Sequence, residues 1–270
     1  MLDASLVIPC FCRPHLLDEG LKWLTRQTWP HDRFEVIVVD DSGPENYPPN
    51  RQVIEAAKVG FRLRYLSTGL PKEVYGVTVA RNLGMREAES PLVIYTDDDC
   101  FCHPNMIEQH VLPHRESDRL MLTGYRADTE EVLHEPIPVK LTREKCAREF
   151  AKSRKGELGP GDFKTGNASV KKAHLLEVGG FNEAMARPYE YGYTDRELAM
   201  RLLDNRMTFR VNPDAVVYVI PTDQATLEYR EKHGVQEKAR TRFQTIERDW
   251  KRRRFFNRIR SFLGMDRSEP

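Results

Sequence analysis

The chain has 270 residues, 40% hydrophobic and 31% charged, enough apolar material for a real core in one large or two small domains. Its 42 Lys+Arg against 41 Asp+Glu leave a net charge of +1, which excludes both the apolar-poor, highly charged composition of a disordered chain and the strong basicity of a dedicated nucleic-acid binder. The mean hides an asymmetry: residues 228–270 carry 13 Lys+Arg and 7 Asp+Glu, whereas residues 1–227 carry 29 and 34.

The opening segment, MLDASLVIPCFCRPH, has an acid at Asp3, no basic leader and only a short apolar run, so it does not read as a secretory signal. No stretch approaches the roughly 18 uninterrupted apolar residues of a membrane-spanning helix. The expectation is a soluble, cytoplasmic protein. Its five cysteines, Cys10, Cys12, Cys100, Cys102 and Cys146, are odd in number and lack the two-residue-spaced pair common in zinc sites, which fits reduced thiols.

In chain order, residues 5–8 (SLVI) and 34–39 (FEVIVV) are short, β-branched apolar runs that stop at Pro9-Cys10 and at Asp40-Asp41-Ser42-Gly43. They read as parallel strands buried on both faces. Between them Leu16, Leu17, Leu21 and Leu24 recur at helical spacing, completing a βαβ unit. A helix at 53–57, a strand at 63–66, a helix at 77–88 and a strand at 92–95 ending in Thr96-Asp97-Asp98-Asp99 extend the pattern over about 110 residues. This predicts a doubly wound, Rossmann-like α/β half whose ligands bind at the carboxyl ends of its strands, where both acid clusters lie.

After Pro113 the pattern loosens. Residues 120–123 are strand-like, 143–152 form a charged helix-like stretch, and 156–166 form a Gly-rich loop of a length that is usually functional or mobile. A helix at 173–178 closes at Gly179-Gly180, another spans 194–203, and strands follow at 209–211 and 216–220. From about Thr226 the chain is charged and predicted to be helical.

Three consecutive acids ending a buried strand repel by roughly 4 kcal/mol per pair at 4 Å and an effective dielectric near 20, so something positive must sit among them. Oxygen-only ligands favour a hard divalent cation such as magnesium or manganese, completed by water and phosphate. In extended chain Asp97 and Asp99 share a face and Asp98 points away. Asp40-Asp41 ends its strand in the same position, where carboxylates accept bonds from a ribose or base edge; an Asp-Ser-Gly turn is the plainer explanation for that pair alone. No G-x-G-x-x-G, G-x-x-x-x-G-K-[ST] or G-x-S-x-G occurs, which leaves a dinucleotide oxidoreductase, a P-loop NTPase and the commonest hydrolases unsupported.

Taken together, LVIPCFCRP, QTWPHDRFEVIVVDDSG, VARNLG, PLVIYTDDDC, TGNASVKKAHLLEVGGFNE and YGYTDRELAMRL resemble, in the expected order, the successive motifs of family 2 glycosyltransferases of the GT-A fold. The resemblance runs from about Leu6 to Tyr229. It implies a GT-A domain over residues 1–227, with a nucleotide-sugar-binding half (1–115) and an acceptor-side half (116–227), followed by a basic helical tail (228–270). It further implies a metal-dependent, inverting transfer of sugar from a nucleotide-diphosphate sugar to a carbohydrate, lipid-linked or protein acceptor.

Carried across by position, the resemblance puts Pro9 in the wall of the nucleotide pocket, Asp41 on the base or ribose and Arg81 beside the nucleotide. Asp97-Asp98-Asp99 matches the family's D-x-D motif, with Asp99 as the direct ligand of Mn2+ or Mg2+ and Asp97 or Asp98 on the ribose or a metal-bound water. Asp195 matches the catalytic base, with Glu190 in reserve. Gly166-Asn167 and Gly179-Gly180-Phe181 lie beside the sugar and acceptor by the same resemblance. Asp195 has a rival explanation: Thr194-Asp195-Arg196-Glu197 reads as a capping box with Thr194 as N-cap. Gly179-Gly180 reads equally as a helix C-cap.

The chain departs from many relatives in having no histidine between His174 and His233, where a further metal ligand can sit; His233 reaching back is one remedy. A four-thiol zinc site from Cys10, Cys12, Cys100 and Cys102 is a minor alternative. A sugar-phosphate nucleotidyltransferase lacks its usual Gly-rich basic loop here, and a non-catalytic sugar-nucleotide-binding module sits badly with the retained acids.

Residues 248–263, RDWKRRRFFNRIRSFL, place Phe255, Ile259, Phe262 and Leu263 on one helical stripe among seven Lys+Arg. Two readings stand level: peripheral contact with an anionic membrane, at its inner face, or packing of the aromatics on the body. Nucleic-acid binding ranks below both because the acidic body opposes it.

Overall fold

The computed structural model describes residues 1–129, 135, 136, 147–220, 228, 231 and 234–262, with only the backbone of 148, 149 and 256–262. One eight-stranded sheet runs through the body. Its strands are β1 (Ala4–Cys10), β2 (Phe34–Asp40), β3 (Arg62–Ser67), β4 (Leu92–Thr96), β5 (Cys100–Cys102), β6 (Leu120–Asp128), β7 (Asn167–Lys171) and β8 (Thr208–Val219), in the order β3-β2-β1-β4-β7-β6-β8-β5. The β3-β2-β1-β4 half is parallel, and β7 then inserts antiparallel between β4 and β6. The predicted mixed α/β architecture is present.

Both faces of β1, β2 and β4 are covered, which is why these strands are almost uninterruptedly apolar, whereas edge strand β3 (RLRYLS) is only half-buried. Leu6, Ile8, Val36, Val38 and Ile94 pack on one side against helices α1 (Pro14–Leu24), α2 (Tyr47–Ala56) and α4 (Met106–Glu116). The alternate residues Val7, Ile37, Val39, Val93 and Tyr95 pack on the other side against α3 (Val77–Glu87), α6 (Lys172–Glu177) and α7 (Thr194–Asp204). Gly84 of α3 lies so close to β1 that a Cβ there would come within 2.4 Å of Val7 Cγ1. Pro9 sits in a central strand without breaking it, because the β1–β4 ladder ends at Val7–Tyr95 and leaves Pro9 with only β2 beside it. The cleft opens where β1 and β4 part.

Several elements differ from expectation. The helix predicted at 53–57 starts earlier, at Tyr47, and α4 was not predicted because Pro113 lies inside it. Pro113 removes the bond that Gln109 O would accept, and Asn212 Nδ2 donates to that oxygen instead at 2.8 Å. The strands predicted at 209–211 and 216–220 are one strand with a register shift, Gly124 pairing Asn212 and Tyr125 pairing Val216. The Gly-rich loop 156–166 is tethered: Lys152 pairs with Asp162 at 3.0 Å and Phe163 is fully buried. The charged helix, α5 (Ala147–Lys155), is described from Ala147; the earlier part of its predicted span, 143–146, lies outside the described residues.

The tail forms α8 (Val235–Phe262). It packs on α7 through Phe243 and Trp250 against Met200, and Trp250 Nε1 donates to Asp204 at 2.9 Å. Phe255 is 62% exposed, while the side chains of Ile259, Phe262 and Leu263 lie outside the described residues. No helix among the described residues is long and apolar enough to cross a membrane.

Candidate active site

The three acids lie just beyond β4, in the turn that leads into β5, where the Cys100 amide donates to Asp97 O at 3.1 Å, and not in extended chain as expected. Asp97 and Asp99 share one side, and their ligand oxygens lie with the Cys100 Sγ within 4.8 Å of one another. Asp98 turns inward, accepting from the Phe11 amide at 3.1 Å and pairing with Arg13. Burial pushes the Asp98 carboxyl up to about 7, against the pull of Arg13.

The positive charge that these acids require comes first from the chain itself. Arg13 bridges Asp98 and Asp99, at 2.9 Å to the latter, and Arg81 binds Asp97 at 2.7 Å. Arg126 completes the set: a Cβ built on Gly166 would lie 2.7 Å from Asp97 Oδ2 and 2.8 Å from Arg126 Nη1. Burial works against an ionised Asp97, but Arg81 and Arg126 outweigh it and hold the carboxyl below its ordinary value. Three carboxylates and three guanidiniums therefore share this end of the sheet.

A divalent cation also fits. Asp97 and Asp99 offer two hard oxygen donors close together in the turn, leaving most of an octahedral shell for water and phosphate, which is how magnesium and manganese are usually held. Cys100 is the weak member, because burial raises its thiol pKa well above the usual value. Among the described residues the four-thiol alternative is not formed: Cys10 accepts from Asn50 Nδ2 at 3.7 Å, Cys12 donates to Ser42 O, and of the four thiols only Cys100 joins a group able to hold a metal. His233 lies outside the described residues.

Asp41 stands at the end of β2, accepting from Thr68 Oγ1 at 2.8 Å and from the Gly76 amide at 2.7 Å, and burial raises its carboxyl to about 6. The adjoining Asp40 is wholly internal, held by Asn50 and Tyr65. Pro9 is buried one residue before the chain leaves β1.

Asp195 occupies the first turn of α7 and is partly exposed. Its charge reaches Arg81: burial disfavours the guanidinium's charge, and Asp97 and then Asp195 raise its pKa above the ordinary value. The capping box predicted at Thr194 is absent. The N-cap is Tyr193, in the left-handed region at φ 63°, so Thr194 is already helical, and Glu197 pairs with Arg201 at 2.6 Å instead of reaching back. Glu190 is held by Arg242 of α8 at 2.9 Å.

Gly179 and Gly180 do form the predicted C-cap, donating to Leu176 O and Leu175 O at 3.0 and 2.8 Å. Asn82 of VARN locks the next residue: it accepts from the Phe181 amide at 2.7 Å and donates to the Phe181 carbonyl at 2.9 Å. Phe181 packs edge-on against Tyr95, with Arg81 5.4 Å above its ring. Asn167 turns away from the site, donating to Tyr125 O and Ala215 O while its oxygen meets buried His110, so Gly166 alone faces Asp97. Arg13, Arg126 and an aromatic row, Phe11–Tyr75–Tyr191, with centroids 6.1 and 5.4 Å apart, were not assigned from sequence. Phe11 and Arg13 lie in the run Pro9 to Pro14 and Tyr191 in the YGYTD motif, whereas Tyr75 and Arg126 carry no motif.

The family model described as "Glycosyl transferase family 2" matches residues 5–175. An uncharacterized glycosyltransferase, YfnE, of Bacillus subtilis is 25% identical over 262 residues, covering 80% of this chain and 64% of its own length. Validoxylamine A glucosyltransferase of Streptomyces hygroscopicus subsp. limoneus is 32% identical over 111 residues, 41% of this chain and 23% of that protein. This chain thus spans less than two thirds of either. Among solved structures, the mannosyltransferase PcManGT from Pyrobaculum calidifontis in complex with GDP-Man and Mn2+ aligns with a TM-score of 0.65 at 19% identity, over 84% of this chain and 59% of that one. Residues 1–349 of TarS from S. aureus in complex with UDP align with a TM-score of 0.62 at 18% identity, over 84% and 63%. These likenesses establish the GT-A fold.

Proposed function

The chain belongs to glycosyl transferase family 2, and as a glycosyltransferase of this architecture we propose that it moves a sugar from a nucleotide-diphosphate sugar to an acceptor hydroxyl by single displacement with inversion, Asp195 being the general base. The observation that supports this reading is that Arg81, paired with Asp97 at 2.7 Å, is also within electrostatic reach of Asp195, so that the two acids act on one guanidinium. The GDP-Man, Mn2+ and UDP of the structural neighbours support the donor class.

In this reading the nucleotide lies in the crevice where β1 and β4 part, with Pro9 in its wall and Asp41 near the base or ribose. Asp98 supports the pocket from within by fixing Arg13 and the Phe11 amide. Asp97 and Asp99 hold Mn2+ or Mg2+, which when bound neutralises charge on the departing diphosphate. Arg13, Arg81 and Arg126 offer guanidiniums to the same oxygens. Asp195 takes the acceptor proton as the hydroxyl attacks, a contribution of roughly 10²–10⁴-fold. The first turn of α7 favours negative charge there. The acceptor is a carbohydrate, lipid-linked or protein hydroxyl, and exposed Lys251, Arg252, Arg253 and Phe255 of α8 offer peripheral contact with an anionic membrane at its inner face.

Thermal-shift measurements with UDP-, GDP- and dTDP-sugars in the presence of Mn2+ test the donor assignment. One nucleotide class should raise the melting temperature and release nucleoside diphosphate on incubation. Silence across all three, by shift and by release, overturns it.

A further inference from the structure

We infer that α8 is the positioning element of the acceptor side: Phe243 and Arg242 hold the 187–195 loop in the conformation that aims Asp195, an inference that rests on the role of Asp195 proposed above. The loop is not self-supporting. Tyr189 and Tyr193 both sit in the left-handed region, at φ 56° and 63°, with Gly192 at φ 117° between them. Side chains larger than glycine keep such angles only where their surroundings impose them.

The imposing groups are on the tail. Phe243 stacks on Tyr193 with ring centroids 4.9 Å apart and planes 10° from parallel, and Arg196, the residue after Asp195, lies 5.0 Å over the same ring. Arg196 pairs with Glu247 of α8 at 2.6 Å, Arg242 pairs with Glu190 at 2.9 Å, and Lys238 sits 5.9 Å over the Tyr189 ring. Phe243 is fully buried. Four residues on about three successive turns of one helix thus address the residues on both sides of Asp195.

The opposite face of the loop touches the donor side. Tyr191 packs on Tyr75 at 5.4 Å, the Tyr75 amide donates to Arg187 O, and the Tyr189 amide donates to Glu73 O. The same segment ends in Gly76, whose amide binds Asp41. The loop is therefore clamped between α8 and the wall of the nucleotide pocket, and loosening the α8 side frees Asp195 without touching the carboxylates that meet the donor.

The test compares full-length wild type with Phe243→Leu, which keeps apolar bulk but removes the stack, and with Arg242→Met, which removes the Glu190 pair. Amide hydrogen exchange is followed across residues 188–195 and across β4, alongside nucleoside diphosphate release from whichever of UDP-glucose, UDP-GlcNAc or GDP-mannose turns over with Mn2+. Each variant should exchange about tenfold faster in the loop, keep β4 protected, and lose about tenfold in kcat with KM for the donor within twofold. Unchanged loop exchange overturns the inference, as does faster exchange with unchanged kcat. Parallel loss of protection in β4 marks a general packing defect and also overturns it. Asp195→Asn run beside them separates the two levels: if that variant turns over normally, the base assignment fails whatever the loop does.

Discussion

The proposed donor side and the proposed acceptor-side loop both bring carboxylate charge to bear on Arg81 but are fixed in different ways. Asp97, Asp98 and Asp99 follow one short strand and are held by Arg13, Arg81 and Arg126, delivered by the N-cap of α1, by α3 and by β6. Asp195 follows a loop with two left-handed tyrosines, and its neighbours Tyr193, Arg196 and Glu190 are held by a ring and ion pairs from α8, some 50 residues further along the chain. Charge compensation on a rigid sheet sets the first; stacking from a peripheral helix sets the second. Damage to the donor side should therefore appear in donor binding and metal response, and damage to the acceptor side in kcat alone.

The sharpest break is at the proposed metal. Asp99→Asn should lower nucleoside diphosphate release by about 100-fold or more at saturating Mn2+, since a metal supplies several kcal/mol of charge stabilisation; full release would move the metal elsewhere. Gly166→Ala is milder. Its Cβ would press on the ends of Asp97 and Arg126, so turnover should fall about 10–100-fold with the circular dichroism spectrum unchanged. An unaffected rate would show that the charged cluster yields more easily than its burial implies.

Stability gives a smaller effect. His110 and His114 are buried and bonded to Ser169, and desolvation lowers their pKa values to about 4 and about 3. A depressed histidine stabilises the fold fully above its unfolded value near 6.5 and loses that contribution as pH falls toward the folded value. The melting-temperature deficit of His114→Leu should accordingly narrow between pH 7 and pH 5; a constant deficit removes the linkage. The smallest expectation concerns the tail. The 270-residue chain should float with anionic liposomes better than a chain ending at residue 247, and equal flotation would leave α8 with its packing role alone.

What could be read from the sequence follows from where the restraints lie. β1, β2 and β4 were legible because burial on both faces leaves continuous apolar runs, and the acids were legible because they are consecutive at a strand end. β5, at three residues, and β7, NASVK, carry too little pattern; their pairing is set by partners far away in sequence. The reading of Thr194 as N-cap failed for a related reason, because the turn into α7 is set one residue earlier by Tyr193 against Phe243. Arg13 and Arg126 are 113 residues apart, and nothing local joins either to Asp97–Asp99. That the acids require positive charge was legible; that the chain supplies three guanidiniums was not.

The central claim, an acceptor-side base facing a separately built donor site, is tested most directly by Asp195→Asn. Titration with the nucleotide sugar that stabilises the wild type should give a Kd within about twofold of wild type, while nucleoside diphosphate release falls by roughly 10²–10⁴-fold. Wild-type release from that variant would contradict the account and turn attention to Glu190.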